Sequence, residues 1–247
     1  MILQERLPYD PLAPRPLPGI APLDPEQWLR VDEAYAGQMA ERERLIEGHR
    51  AAVIVLDESA RDMAEELLDE VVAAVLALPG FSRSGDTITR PDGGTVVLCR
   101  DDPLATVGRL CQEDLCLLDK RGDEHVLVGA CLCFPASWSL EEKFMRSLIG
   151  IHVPVAPYDA DIARRVQRLC DGVQPGRPLW RFNALWYEDA SLHQPRRENG
   201  RRAERHAKEA PYLRSELQTL RRLAKTKAVV FGIHTFVLHK ANVPGRG

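Results

Sequence analysis

The sequence predicts an α+β fold in which an antiparallel sheet carries helices on one side. Helical periodicity dominates the first part of the chain, whereas strands separated by turn residues and short helices dominate the rest. The alternating strand–helix–strand pattern of a doubly wound parallel sheet is missing from the sequence.

The N-terminal region is rich in proline. The first 25 residues contain seven of the 18 prolines, and because proline fixes φ and lacks an N–H, we expect an extended arm there. The segment Trp28–Ile46 is then predicted to be helical. We accordingly divide the chain into residues 1–50, an arm and helix that pack on the core, and residues 51–247, a single domain.

The middle of the chain predicts a helix and two hairpins. Apolar residues repeat every four positions at Met63, Leu67, Val71 and Val75, a spacing typical of an amphipathic helix, which Pro79–Gly80 would end. Hairpins are predicted over 87–98 and 115–134, with a short helix over 104–113 between them.

The second half predicts further helices and two long strands. Ser139 and Glu142 resemble a capping box, which opens a helix with Leu140, Phe144, Leu148 and Ile151 on one face. Further helices are predicted over 159–169 and 211–223, strands over 178–187 and 228–238, and a charged excursion over 195–209.

Composition excludes several classes of protein. Lysine plus arginine number 33 against 36 acidic residues, so the net charge of −3 does not indicate a nucleic-acid binder. No apolar run reaches the ~18–20 residues of a membrane-spanning helix. The start of the chain lacks the apolar region of a secretory signal. The six cysteines therefore indicate reduced thiols, and a cytoplasmic protein is the expectation.

Familiar catalytic and metal-binding motifs are missing from the sequence. The spacing of Cys111 and Cys116 lacks the third cysteine that a plant-type iron–sulfur cluster needs. Cys131 and Cys133 alternate along an apolar strand, which favours two small buried residues. A zinc site that adds His125 to them is an alternative of unusual spacing.

A few polar residues are candidates for binding. His152 ends a helix and precedes Val153–Pro154; it is either a structural histidine or a ligand. Arg181 and Asn183 share one face of a predicted strand, where an arginine needs an anion or a neighbouring carboxylate. The charged residues around Glu216 are typical of a solvated helix face.

The order and spacing of many short segments resemble one family, the haem-dependent oxidative N-demethylase alpha subunit-like (dimethylamine monooxygenase-like) proteins. The segments that carry the resemblance run from Pro8–Tyr9 to about Val237. They include Gln112-Glu-Asp-Leu115, Phe134-Pro135, Ser137-Trp138, Lys143, Ile151-His-Val-Pro-Val155, Arg181-x-Asn183, Leu192-His-Gln-Pro195, Leu213-Arg-x-Glu-x-Gln-Thr-Leu220 and Ala228-Val-Val-Phe231.

The resemblance implies a PAS-like antiparallel sheet that binds haem b without a covalent bond. It implies oxidative removal of a methyl group from a small methylated amine, with O2 as co-substrate and formaldehyde as co-product. Electrons would come from NADPH through FMN and a [2Fe–2S] cluster on a partner reductase subunit. Neither nucleic acid nor a membrane is an expected partner.

The resemblance also implies roles for residues at matched positions. His152 is the expected axial iron ligand, with His193 as the competing candidate. Lys143, Arg181, Asn183 and Arg214 are expected around the haem, where cations and donors pair with propionates. Glu216 is the expected catalytic carboxylate that receives the protonated amine.

Two other classes of function compete with this interpretation. A PAS-like chain that binds haem can act as a sensor of gas or redox state, and a chain that has lost haem can act as a non-catalytic interaction module. A haem spectrum that responds to amines would separate the enzyme from both alternatives.

Overall fold

The computed structural model of the chain describes residues 1–13, 19–152, 160–197 and 210–243, and at 152 and 160–163 it describes the backbone alone. Within these residues α-helices combine with two antiparallel sheets, which confirms the α+β class. Pro154 and most of the charged excursion over 195–209 lie outside the described residues.

The predicted elements of the middle of the chain are largely confirmed, with shifts of a few residues at their ends. The helices are α1 Tyr35–Gly48, α2 Arg50–Val53, α3 Arg61–Leu76, α4 Pro103–Leu110, α5 Leu140–Lys143, α6 Leu148–His152 and α7 Ala160–Gly172. The strands are β1 Ala21–Pro22, β2 Ile54–Leu56, β3 Ser82–Ser84, β4 Thr87–Thr89, β5 Thr95–Val97, β6 Asp114–Arg121, β7 Glu124–Cys131, β8 Leu179–Tyr187, β9 Tyr212–Arg222 and β10 Val229–His239.

The large sheet has the strand order β1-β8-β9-β10-β6-β7-β2, and every neighbouring pair in it is antiparallel. Its longest pairing joins β9 to β10, from Val229↔Arg222 to His239↔Tyr212. The small sheet consists of β3, β4 and β5. The long central strands therefore form the platform on which the other elements pack.

Helices cover both faces of the large sheet, so the prediction of helices on one side is wrong. Successive side chains of a strand point to opposite faces. Leu115 and Leu117 of β6 pack in one core with residues of α3 and α4. Cys116 and Leu118 pack in a second core with residues of α5, α6 and α7. We call these the α3–α4 face and the α5–α7 face.

The first long helix begins at Tyr35 rather than at Trp28. The backbone before it bonds to distant side chains: Arg30 N–H donates to Glu113 (3.0 Å) and Asp32 N–H to Gln112 (3.1 Å). These tertiary hydrogen bonds replace the partners that a helix would have supplied. Periodicity alone does not reveal such contacts, and α1 therefore starts seven residues later than predicted.

The helix predicted over 211–223 is wrong, because this segment is the central strand β9. Leu213 and Leu217 are buried in a third core, which includes Phe236 and is covered by Tyr9 of the N-terminal arm, whereas residues at even positions point to the α5–α7 face. The charges at i and i+4 matched a solvated helix, but the period of two along this segment is that of a strand. Pairing with both β8 and β10 determines the outcome.

The helix predicted from Ser139 to Ile151 is divided into α5 and α6. Phe144 is extended at ψ 135°, and Met145 takes a positive φ of 60°. The backbone between the helices pairs with β7 instead, since Met145 N–H donates to Leu127 O over 2.9 Å. This pairing fixes α5 and α6 against the α5–α7 face.

Candidate functional site

The α5–α7 face carries a group of polar side chains on two neighbouring strands. Cross-strand partners share a face, and the pairs are Arg181↔Gln218 and Asn183↔Glu216 between β8 and β9. Next to this group, Leu220, Phe231 and Ile151 pack against the second core. We call Arg181, Asn183, Glu216 and Gln218 the polar group; it borders an otherwise apolar face.

Glu216 is held at one carboxylate oxygen. Its Oε2 accepts hydrogen bonds from Asn183 Nδ2 and from Gln218 Nε2, each 3.0 Å long. The backbone N–H of Glu216 donates to Asn183 Oδ1 over 3.2 Å, so the two residues are fixed together. The residue is 6% exposed. Two amide donors thus orient a buried carboxylate and leave Oε1 without a hydrogen bond to any described residue.

Arg181 lies beside this carboxylate. Burial lowers the pKa of its guanidinium, and the charge of Glu216 opposes that effect. Its Nε is buried and has no hydrogen-bond partner among the described residues. A half-buried cation with a buried, unused donor is a suitable partner for an anionic group.

Arg214 occupies the end of the same face, but its donors are largely used. Nη2 donates to Phe134 O (2.6 Å) and Nη1 to Leu192 O (2.9 Å). The side chain is 2% exposed, and Nε is buried without a partner in the described part of the chain. Arg214 therefore joins two loops to β9 and leaves one donor for another group.

Lys143 joins the two short helices. Its Nζ donates to the carbonyl of Ile151 over 2.8 Å, and the residue is 5% exposed. This contact holds α5 against the end of α6, one residue before His152. Lys143 thus lies next to the backbone that carries the expected axial ligand.

The two histidines considered as iron ligands are positioned differently. His152 is the last residue of α6, and of this residue the structure describes only the backbone. His193 lies in the loop after β8, where Nδ1 is 2.8 Å from Cys133 O. Because a carbonyl can only accept, Nδ1 donates this hydrogen bond, and Nε2 is the ring nitrogen left for another partner. Both positions remain candidates.

The zinc alternative is not supported. His125 stands near the start of β7 and Cys131 at its end, which is about 20 Å away for six residues of extended strand. His125 Nδ1 instead contacts Gln167 Oε1 at 2.8 Å. Over the described ranges, with their gaps, no group of three or more His, Cys, Asp or Glu residues could hold a metal ion.

The helix predicted over 211–223 gave wrong positions for two site residues. Gln218 was expected on a solvated helix face, and Glu216 was not expected to face Asn183. A helix over 211–223 would not bring either residue to Arg181 and Asn183. The signal that could have found them is the spacing of two between Arg214, Glu216 and Gln218, which puts all three on one face of a strand.

A cavity of about 330 Å³ opens on the opposite face of the sheet. Its lining includes Tyr9, Arg30, Trp180 and Leu217, between the N-terminal arm and the strands β8 and β9. Trp180 and Leu217 alternate with the residues of the polar group along their strands. This cavity is therefore separate from the candidate site.

A family model matches most of the chain. The family model described as haem-dependent oxidative N-demethylase, alpha subunit-like, matches residues 19–245, which is nearly the whole chain. The description names an alpha subunit and therefore refers to a complex with other subunits. Among the described helices, none has the length and apolar character needed to cross a membrane.

Proposed function

Because the chain belongs to the haem-dependent oxidative N-demethylase alpha subunit-like family, we propose that it is the haem-carrying subunit of a monooxygenase acting on a small methylated amine. The reaction removes one methyl group oxidatively and releases formaldehyde, and we propose dimethylamine as the substrate to test first. The observation that carries the proposal is the polar group, which places an oriented carboxylate and a half-buried arginine beside an apolar surface.

The sheet supports a PAS-like domain over residues 51–247, with residues 1–50 as an arm and helix packed on it. Five consecutive strands have the order β7-β6-β10-β9-β8, and the helices α5, α6 and α7 lie in the chain between β7 and β8. A ligand would then lie between these helices and the α5–α7 face. The polar group points to the same side.

The described residues fit a haem at this position. Haem needs an apolar surface for the macrocycle and donors for two propionates. Leu220 and Phe231 supply apolar area, and the unpartnered Nε of Arg181 supplies a donor. We assign the role of iron ligand to His152, with His193 as the competitor, and Lys143, Arg181, Asn183 and Arg214 would surround haem b.

We assign binding of the protonated amine to the carboxylate of Glu216. A small protonated amine that leaves water needs a carboxylate, because an unpaired charge in an apolar site is costly. Asn183 and Gln218 hold Oε2, so Oε1 is the atom assigned to receive the ammonium N–H. When bound, haem would supply oxygen activation, and Glu216 would hold the amine so that its methyl group lies on the apolar side of the site.

The remaining parts of the reaction belong to partners. We propose that electrons arrive from NADPH through FMN and a [2Fe–2S] cluster on a reductase subunit, in keeping with the family's description as an alpha subunit. We place the complex in the cytoplasm. No contact with nucleic acid or a membrane is part of this function.

Titration with dimethylamine tests the role of the carboxylate. In the haem-loaded chain, Glu216→Gln is expected to weaken the amine-induced shift of the Soret band by at least about ten-fold in affinity, since a charge-assisted hydrogen bond contributes about 1.5–3 kcal/mol. Haem binding itself should be retained. The exposed Glu47 on α1 offers the control, because Glu47→Gln should leave both measurements unchanged. An unchanged amine affinity in Glu216→Gln would reject the assignment.

Two histidine variants show which of the two candidate residues, His152 or His193, binds the iron. His152→Ala is expected to abolish the histidine-ligated haem spectrum while the circular dichroism of the fold is retained, whereas His193→Ala should keep that spectrum. The reverse pattern would move the ligand to His193. A haem spectrum that ignores every small amine would favour the sensor, and a chain that binds no haem would favour an interaction module.

A further inference from the structure

Two thiols meet at the end of β7, away from the polar group. Cys131 Sγ and Cys133 Sγ are 4.0 Å apart, and both residues are fully buried. A disulfide needs about 2.05 Å between the sulfur atoms, so an approach of about 2 Å would join them. The alternation of the two residues along an apolar strand predicted small buried residues, and the proposed function involves neither thiol.

A buried guanidinium lies against the pair. Arg42 Nη2 approaches Cys131 Sγ to 3.6 Å, while Nη1 makes a 2.7 Å ion pair with Asp114. Asp114 also accepts the N–H groups of Cys133 (2.7 Å) and Phe134 (2.8 Å). The cation and the backbone on both sides of the thiols are therefore fixed in place.

Contact with Arg42 distinguishes Cys131 from Cys133, since the guanidinium reaches only the first of the two sulfur atoms among the described contacts. The hydrogen bond with Cys133 and the charge of Arg42 lower the pKa of Cys131, against the effect of burial. Cys131 is therefore the thiol that a cation favours as a thiolate, and Cys133 is the thiol next to it that can complete a disulfide.

We propose that Cys131 and Cys133 form a redox-active dithiol that a small hydroperoxide converts to a reversible disulfide. Cys131 thiolate attacks one peroxide oxygen, the O–O bond breaks, and a sulfenic acid forms at Cys131. The other oxygen takes up the proton that the Cys131 thiol had released and leaves as water, or as the alcohol when the oxidant is an alkyl hydroperoxide. Cys133 sulfur then attacks Cys131 sulfur, the S–O bond breaks, and the hydroxyl leaves as water with the Cys133 proton. The pair loses two electrons, and these reduce the peroxide.

The location links this dithiol to the candidate site. Cys133 O accepts the hydrogen bond of His193 Nδ1, and the next carbonyl, Phe134 O, accepts that of Arg214 Nη2. Oxidation of the pair therefore takes place on the backbone that holds two of the candidate site residues. The proposal does not depend on haem, since the geometry belongs to the chain alone.

Mass spectrometry of the reduced, full-length chain after treatment with hydrogen peroxide tests the proposal. Trypsin releases both residues in one peptide, 122–143, which contains no other cysteine. We expect this peptide to lose two hydrogens, to resist alkylation in denaturant, and to regain both thiols with dithiothreitol. The exposed Cys99 provides an internal standard for contact with the oxidant.

Three variants sharpen the result. Cys133→Ala should stop the reaction at the sulfenic acid, which dimedone traps at Cys131, whereas Cys131→Ala should give no adduct at Cys133. Cys116 is also buried but points to the opposite face, so Cys116→Ala should leave disulfide formation unchanged. The proposal is overturned if Cys99 is oxidised while the wild-type peptide remains fully alkylated, or if Cys131 pairs with another cysteine.

Discussion

His234 on β10 lies fully buried between two carboxylates. Its Nδ1 is 2.8 Å from Glu113 Oε1 and its Nε2 is 3.1 Å from Asp32 Oδ2. Burial alone would lower the pKa of His234, but the hydrogen bonds and charges of Asp32 and Glu113 raise it to about 9. The same contacts outweigh burial at Asp32 and lower its pKa to about 2. The protonated imidazole therefore joins β10 to the segment before α1.

This arrangement predicts that the free energy of unfolding decreases as the pH becomes alkaline. A raised pKa stabilises the folded state below the unfolded value of 6.5, and the contribution disappears as the pH rises through about 9. The shift corresponds to a change of about 3 kcal/mol in the free energy of unfolding. Urea denaturation at pH 6 and pH 9.5 measures it.

His234→Gln should remove most of that pH dependence, and His239→Gln, at an exposed position of the same strand, should retain it. A wild-type free energy of unfolding that stays constant between pH 6 and 9.5 would contradict the assigned charge state. On the acid side, the contribution of Asp32 persists above pH 3.8 and is lost as the pH approaches about 2.

The buried ion pair of Arg42 and Asp114 leads to a second prediction, which concerns the free energy of unfolding. Both side chains are fully buried, and their 2.7 Å ion pair leaves neither charge in contact with water. Asp114→Asn keeps the shape but leaves an uncompensated guanidinium, so we expect a loss of about 3–5 kcal/mol in the free energy of unfolding. Chemical denaturation at pH 7 provides the measurement.

The exposed ion pair of Arg44 with Glu41 supplies the comparison for this prediction. Glu41→Gln should shift the denaturation midpoint very little, since solvent screens such pairs. Equal losses in the two variants would mean that the burial of Arg42 does not determine its energetic role.

At the scale of elements, α4 packs on β7 at a glycine. A Cβ at Gly108 would overlap Cys131 Sγ and come within 2.9 Å of Ile46 Cδ1. Gly108→Ala is therefore expected to destabilise the fold by about 1–3 kcal/mol, as overpacking usually does. Thermal denaturation is the measurement.

Gly48, at the end of α1, is the matched position, since nothing lies within 4 Å of a Cβ built there. Gly48→Ala should leave the melting temperature unchanged or raise it, because alanine favours a helix by up to about 1 kcal/mol. A Gly108→Ala variant as stable as Gly48→Ala would show that α4 and β7 are packed less closely than described.

The elements also show which parts of the fold could be predicted from the sequence. Local signals sufficed for α3, with its four-residue repeat, and for the hairpin of β6 and β7, with its turn residues. They failed for β9, because the spacing of its charged residues is also typical of a solvated helix. The segment is a strand because it pairs with both β8 and β10, which its own sequence does not reveal. They failed again at Phe144, where bonds to β7 interrupt a regular helical pattern.

The residues of the candidate site could be predicted from the sequence, but not all of the contacts between them. The residue types came from the resemblance to a family, and the shared face of Arg181 and Asn183 followed from strand periodicity. The joining of Glu216 to Asn183 did not follow, since it depends on the register between β8 and β9. Register is set by side chains distant in sequence, which a single sequence does not reveal.

At the scale of the whole molecule, one sheet separates two environments. The α3–α4 face holds the larger hydrophobic core, together with Trp28 and the buried His234 network. The α5–α7 face combines a smaller core with the polar group. The first face therefore stabilises the sheet, while the second presents the charged and donor groups that a cofactor and its substrate need.

Titration of haem into the purified chain, followed by the Soret band, tests whether the chain carries haem at the polar group. We expect saturation at one haem per chain, with an affinity that Arg181→Glu reduces at least about ten-fold. Arg177→Glu, at an exposed position just before β8, should leave the affinity unchanged. A wild-type chain without a saturable Soret band, or an Arg181→Glu variant that binds haem normally, would contradict the account.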